Sequence, residues 1–477
     1  MVPVFLILIP LVTGLVSFFL KDTKSVKKFA FLSSVLTFLV TITGIFFLPE
    51  VNLAFDAAWL PSLGSRFALM TDGMGKMLCL LTTLSFPIIF LATTKNEYKN
   101  AGSFYGLMLL TQAGLLGVFL ASDALLFYFF WELALIPVYF LCSIWGGEKR
   151  IAITFKFFIY TFVGSLLMLV GILFLYFQTT DHSFALQSFY KIKLAASQEK
   201  VIFWLFFIAF AIKMPIFPFH TWQPDTYEQS PTATTMVMSG IMVKMGIFAL
   251  IRWLLPVFPH ASVQFANFII ILSVIGILYA SLIAIKQDDF KRLIAYSSIA
   301  HIGLMCAAIF THDKSGMNGV MIQMFNHGIN VIGLWIIADA IEQKLGTRKF
   351  SELGGLAQKA PTLAILLAVM AFANIALPLT NSFIGEFLMF NGLFRFDGWI
   401  AALAGISVIL SAIYTLLMVQ KILFGNTSTT TENAKEISSN VQQMLLVLVV
   451  LIFVFGVYPQ PLIHLTKDTV NAILSIR

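Results

Sequence analysis

Residues 201–253 read VIFWLFFIAFAIKMPIFPFH (201–220), TWQPDTYEQSP (221–231) and TATTMVMSGIMVKMGIFALIRW (232–253). Two apolar runs flank a polar connector. Each run approaches the roughly 20 residues that a helix needs to cross a bilayer core about 30 Å thick. Each also carries a lysine well inside it, Lys213 in the first and Lys244 in the second. A lysine at mid-membrane costs about 2.5–3.5 kcal/mol on insertion scales. Lys213 is followed at once by Pro215 and Pro218. Proline lacks the N–H donor and crowds the preceding turn, so the first helix should break there. Two buried cations, one beside a helix break, point to a chain that moves charge.

The rest of the chain agrees with a membrane setting. Of 477 residues, 59% are hydrophobic and only 11% are charged, with a mean hydropathy of +0.91. Soluble chains carry about 25% charged residues. Apolar runs near 20 residues recur along the sequence, too long for barrel strands and without their alternation. The fold class expected is therefore an all-α polytopic membrane protein. The net charge of +7 does not indicate nucleic-acid binding, because the basic residues are scattered through short loops. Cys79, Cys142 and Cys306 all lie in apolar runs with no CxxC, which argues against disulfides, zinc and cysteine-bound iron–sulfur clusters. The first run lacks a charged leader and a clear small-residue cleavage site, and reads as a retained span.

About fourteen spans are expected, near 2–20, 27–48, 74–94, 103–121, 124–145, 151–177, 201–221, 232–255, 263–285, 292–311, 316–341, 361–391, 398–424 and 441–462. They form a single membrane domain over residues 1–477. The longest linkers, 49–73 and 178–200, are too short for a soluble domain. Lysine and arginine set orientation. The linkers opposite the termini hold Lys21, Lys24, Lys27, Lys28, Lys95, Lys99, Lys149, Arg150, Lys286, Lys291, Arg292, Lys344, Arg348, Lys349, Lys359 and Lys435. The terminus side holds Arg66, Lys191, Lys193, Lys200, Lys314, Arg395, Lys467 and Arg477. Both termini are thus expected outside the cytoplasm.

A second interrupted span, PTLAILLAVMAFANIALPLTNSFIGEFLMFN (361–391), has Asn374, Pro378, Thr380 and Asn381 at its break and Glu386 after it. The two broken spans are the seventh and twelfth, five apart. An odd offset inverts the second copy, so residues 102–255 (spans 4–8) and 263–424 (spans 9–13) are expected to form two inverted five-helix repeats. No residue-level self-similarity between the halves accompanies this positional argument.

Six ionisable residues lie deep in spans: Glu132, Lys213, Lys244, His301, His327 and Glu386. Most fall about 12–20 Å from a span end at 1.5 Å per residue. Acids and bases at one depth on different helices suit proton exchange. Glu132 moved towards Lys213 keeps that lysine charged; moved away, it lets the proton leave. Histidines can relay between lysines, since they titrate near neutrality. The breaks at Pro215 and Pro378 admit water and free backbone groups. His220 and Asp225, at the end of the first break, mark an access route, with helix capping as the equal alternative. Each site residue also has a bland reading. Glu132 and Lys213 form a static ion pair, Lys244 and Glu386 are structural, His301 and His327 are satisfied core residues or haem ligands, and the prolines are ordinary kinks. Asp72, Asp123 and Lys156 lie near span ends, where a solvated or snorkelling side chain is expected.

Three stretches carry a family resemblance: FYFFWELALIPVYFLCSIWGG (127–147), AIKMPIFPFHTWQPDTYEQSPT (211–232) and MVKMGIFALIRW (242–253). They resemble the antiporter-like membrane subunits of respiratory complex I, the proton-pumping NADH–quinone oxidoreductase. KRLIAYSSIAHIG (291–303) extends the likeness, which covers nearly the whole chain. Glu386 in FIGEFL resembles the subunit M branch, counterpart of mitochondrial subunit 4. The sister L and N subunits and the Mrp-type antiporter subunits generally place a lysine there. Subunit L usually also has a long C-terminal amphipathic helix, which this chain is expected to lack. ALPLTNSFIGEF (376–387) departs from the commoner LPGTSGFVGEF pattern at the break, but keeps the carboxylate.

The resemblance implies a charge pair of Glu132 and Lys213, a central connecting Lys244, His301 and His327 on the axis, and Glu386 at the exit end. It implies no cofactor and no metal on this chain, and no direct NADH binding. Flavin, iron–sulfur clusters and quinone would lie in partner subunits, with L-type and N-type membrane-arm neighbours. A bacterial-type inner membrane follows. The rival readings are a subunit of a multisubunit cation/proton antiporter, a subunit of a membrane-bound hydrogenase, and a membrane scaffold with no transport role.

Overall fold

The computed structural model describes residues 1–475, so Arg477 lies outside the described residues. The chain is almost wholly helical. In order the helices are α1 (Val2–Ser17), α2 (Thr23–Phe47), α3 (Gly73–Ala92), α4 (Ala101–Leu120), α5 (Ala124–Trp145) and α6 (Arg150–Gln178). Then come α7 (Ala196–Lys213), the short α8 (Trp222–Gln229), α9 (Thr232–Leu254), α10 (Pro259–Ile285), α11 (Phe290–Phe310) and α12 (Lys314–Leu345). The chain closes with α13 (Pro361–Asn374), α14 (Asn381–Phe396), α15 (Gly398–Leu423), α16 (Ser439–Val457) and α17 (Gln460–Ser475). Eleven of these helices are long and apolar enough to cross a membrane. The other three expected spans correspond to the shorter α1, to α7 and to the pair α13 and α14.

Aspartate starts many of these helices. Asp22, Asp72, Asp123, Asp289, Asp313 and Asp397 each accept from backbone N–H groups of the first turn, at 2.7–3.1 Å. These N–H groups have no partner within the helix, and a carboxylate there also meets the positive end of the helix dipole. Asp72 and Asp123 are therefore not the solvated side chains expected. Asp123 is buried and also accepts from Ser65 Oγ and the Arg66 N–H, both at 3.0 Å. Asp72 is ion-paired with the buried Arg252.

Burial sorts the helices into a centre and a rim. α9 is buried throughout, α12 along its apolar middle, and α11 nearly so. α2, α15 and α16 bury only a minor part of their surface, and their outward faces carry Leu36, Leu39, Ile409, Leu416 and Val450. An outward apolar face is what a bilayer requires, since hydrocarbon offers no hydrogen bonds. Around the centre, α10 packs along α11, α4 along α5 and α1, and α14 along α12. The α12–α14 seam is made of glycines. A Cβ on Gly392 would stand 2.7 Å from Gly316 Cα, and one on Gly319 would stand 2.7 Å from Gly385 O. Small residues let helix backbones approach closely in membranes. Here they bring Glu386 against α12.

Two features lay beyond the sequence reading. The 49–73 linker folds into an antiparallel hairpin, β1 (Ala54–Leu60) with β2 (Ser65–Met70), in register Ala54 to Met70. The last described element is α17, a short amphipathic helix lying on α3 and α12.

Candidate functional site

The first helix break holds a cation. α7 stops at Lys213, where Pro215 removes the next donors. The freed groups are recaptured locally: Ile216 N–H reaches Ala211 O at 3.2 Å, and Trp222 Nε1 donates to Ile212 O at 3.1 Å. Lys213 is buried, with Nζ 5.5 Å from the centre of the Trp131 ring. Its ammonium has no hydrogen-bond partner among the described residues. Glu132, next to Trp131 on α5, lies beside Tyr128 and Ser165, and its Oε1 is buried without a hydrogen-bond partner among the described residues. Glu132 is only half-buried.

The second cation sits at the centre. α9 carries π-helical turns at Met238–Met242 and Leu250–Leu254, on either side of Lys244. Such turns cluster at functional sites, because one extra residue per turn loosens the backbone ladder. Lys244 is wholly buried. Its Nζ donates to Ser239 O at 2.9 Å and meets His327 Nδ1 at 2.8 Å. No carboxylate pairs with it among the described ion pairs. On its other side, His327 Nε2 meets Ser298 Oγ at 3.2 Å.

The third group is an acid–base pair. His301 Nδ1 lies 2.9 Å from Glu386 Oε1, and Gln323 Nε2 lies 3.4 Å from the same oxygen. The His301 and His327 rings are 5.7 Å apart, centre to centre. The structure therefore brings Lys244, His327, His301 and Glu386 into one cluster. Glu132 and Lys213 lie apart from it at the first break, with no ion pair between them among the described residues.

Sequence reasoning passed over an amide stripe on α12. Gln323, Asn326, His327 and Asn330 recur at helical spacing and share a face. Asn326 Nδ2 donates to Asn381 O at 2.7 Å. Asn330 Nδ2 donates to Ala373 O at 3.2 Å and to Ser382 Oγ at 2.8 Å. These amides bond α12 to the end of α13 and the start of α14. Asn374 Nδ2 donates to Ser297 Oγ at 3.0 Å, and Ser297 meets Tyr414 at 2.9 Å. The period-3 and period-4 spacing of the amides was the available signal.

His220 is buried against Phe217 and Tyr279. Asp225 pairs with Lys156 at 3.0 Å and with Arg292 at 3.1 Å. Lys156 is thus an ion-pair partner rather than a snorkelling side chain. Burial opposes ionisation of Asp225, but the hydrogen bonds from Lys156 and Arg292 outweigh it and hold its carboxyl below the usual range. Arg292 also binds Glu228 at 2.8 Å, and Arg348 joins Glu228 to Glu342 at 3.1 and 3.0 Å. This network ties α8 to α11 and α12. It borders a cavity of about 630 Å³ that Lys95, Asn96, Lys291 and Asp339 also line. The linkers assigned from sequence to the side opposite the termini therefore meet at one end of the bundle. No group of three or more His, Cys, Asp or Glu side chains among the described residues is arranged to hold a metal ion.

Comparison with known proteins identifies the family and the fold. The family described as NADH:quinone oxidoreductase/Mrp antiporter, TM, matches residues 121–413. The chain is 34% identical to NADH-quinone oxidoreductase subunit M of Rickettsia typhi, covering 98% of this chain and 97% of the relative. It is 35% identical to subunit M of Escherichia coli strain K12, covering 89% and 86%. It superposes on a chain of respiratory complex I from Thermus thermophilus with a TM-score of 0.93 at 30% identity, covering 100% of this chain and 99% of that one. The chain belongs to the NADH:quinone oxidoreductase/Mrp antiporter transmembrane family, on its subunit M branch.

Proposed function

We propose that this chain is a proton-translocating, subunit-M-type member of the membrane arm of respiratory NADH–quinone oxidoreductase in a bacterial inner membrane. Its termini face away from the cytoplasm, and its neighbours are the L-type and N-type subunits. Redox chemistry belongs to other subunits, which hold flavin, iron–sulfur clusters and quinone. Residues 102–255 and 263–424 act as inverted repeats, each contributing one broken helix.

One contact carries this reading most strongly. Lys244 Nζ meets His327 Nδ1 at 2.8 Å in the buried centre, where no anion among the described residues pairs with the ammonium. An ammonium held by a carboxylate suits a static ion pair. An ammonium held by an imidazole faces a group that can take its proton and pass one on from its other nitrogen. Glu132 and Lys213 serve as the pair that responds to events elsewhere in the complex. The Lys213 geometry supports this role, since nothing among the described residues hydrogen-bonds its ammonium in place. His301 and Glu386 receive the proton at the far end, and His220 and Asp225 line the access route near the first break.

Purification under mild detergent through a tag on this chain tests the assignment. Flavin, iron–sulfur signals and NADH–quinone activity are expected to co-purify. A stable preparation with cation/proton exchange and no redox centre would instead favour the antiporter reading.

A further inference from the structure

The acid–base line of the proposed function has one interruption. Lys244 reaches His327, and His301 reaches Glu386, but the two imidazoles stand 5.7 Å apart. His301 Nε2 is buried with no hydrogen-bond partner among the described residues. Ser298 stands at this interruption. Its Oγ lies 3.2 Å from His327 Nε2, and it is buried. It precedes His301 by three residues on α11, so the two side chains share a helix face.

We propose that Ser298 is the relay hydroxyl that joins the Lys244–His327 pair to the His301–Glu386 pair, and that it fixes the tautomer of His327. The inference rests on the proton-translocating reading above. A hydroxyl can accept and donate at once, which the amides and carbonyls nearby cannot do on a single atom. When Lys244 is an ammonium it donates to His327 Nδ1, so that nitrogen must hold a lone pair. The ring proton is then on Nε2, aimed at Ser298 Oγ. The Ser298 hydrogen is left to turn towards the lone pair of His301 Nε2; no bond joins them in this structure, so a small side-chain movement closes the gap. His301 keeps its own proton on Nδ1, against the Glu386 carboxylate.

From this state one proton can cross the cluster by exchanging partners. A Lys244 N–H bond breaks as His327 Nδ1–H forms. His327 Nε2–H breaks as a new Ser298 Oγ–H forms. The original Ser298 O–H breaks as His301 Nε2–H forms. His301 Nδ1–H breaks as Glu386 Oε1–H forms. One proton has left Lys244, one has arrived on Glu386, and no electrons have been transferred. An ammonium and a carboxylate both end neutral, which a low-dielectric interior favours over charge separation. Both rings then hold the opposite tautomer and must reset before the next proton.

The test uses the assembled complex in inverted membrane vesicles, with NADH and a short-chain quinone. Ser298→Ala is expected to assemble normally, to slow NADH-driven proton uptake several-fold and to enlarge the D₂O effect on turnover. Ser298→Thr, which keeps the hydroxyl, is expected to restore both. A packing role would leave the D₂O effect unchanged and make the two variants fail alike. If Ser298→Ala does not assemble, Ser298→Cys, with similar volume and a weak donor, is read by the same criteria. Normal pumping in Ser298→Ala, with His327→Ala impaired, would overturn the relay and leave the broader reading standing. Normal pumping in both would overturn the broader reading, and the relay with it.

Discussion

The two broken helices solve one problem in different ways. At Lys213–Trp222 the break is closed by its own neighbourhood, through Ile216 to Ala211 and the Trp222 indole to Ile212. At Asn374–Asn381 a like local bond, Leu377 N–H to Phe372 O at 3.1 Å, is joined by donors from outside, Asn326 and Asn330 of α12. The ionisable groups differ in the same sense. Lys213 lies over an indole with no hydrogen bond, whereas Glu386 is held by His301 and touched by Gln323. A buried cation without hydrogen bonds is costly to keep in one place, so small shifts of Glu132 change its energy strongly. A carboxylate fixed to an imidazole is suited to receiving a proton at a defined position. The first break thus behaves as the responsive end of the molecule, and the second as the fixed end.

Substitutions at the two breaks should separate these roles. Lys213→Met is expected to have the largest functional effect, cutting coupled turnover by roughly tenfold or more, about 1.4 kcal/mol or more in barrier terms. Assembly should be normal, because no hydrogen bond is lost. NADH-driven proton uptake compared with the amount of assembled complex checks this, and a loss of assembly would show that Lys213 is structural after all. Asn330→Leu should have the opposite profile. It removes two buried hydrogen bonds, to the Ala373 carbonyl and Ser382 Oγ, at about 0.5–1.5 kcal/mol each. Less complex should assemble and its melting temperature should fall, while each surviving complex turns over near the parent rate. Trp222→Phe removes one local bond at the first break and should cost less, about 0.5–1.5 kcal/mol. If Trp222→Phe proved the more damaging of the two, the contrast between a break closed locally and one braced by α12 would be wrong.

Much of this was legible in the sequence, and the reason is physical. A membrane span must be long, apolar and helical, so its signal survives without tertiary context. The breaks were legible because Pro215 and Pro378 act on their own turns. The six ionisable residues stood out because hydrocarbon makes each one expensive. What the sequence could not give was pairing. Lys244 joins His327 from 83 residues away, and Glu386 joins His301 across the α11–α14 contact. The neutral partners were missed for a related reason. Ser298, Asn326 and Asn330 cost too little alone to draw notice, and gain their meaning from the groups opposite. Asp72, Asp123 and Lys156 were misjudged because a charge near a span end is usually solvated, yet here each meets a specific partner. The hairpin at Ala54–Met70 lay in a linker whose short alternation is a weak signal beside the surrounding spans.

The account stands on Lys244 giving up its proton to His327. The most direct test is the number of protons taken up per NADH oxidised in inverted vesicles carrying Lys244→Met, with assembly verified on the same membranes. The account predicts an assembled complex whose proton uptake per NADH falls clearly below that of the parent. A fully assembled Lys244→Met complex with the parent stoichiometry and rate would contradict it.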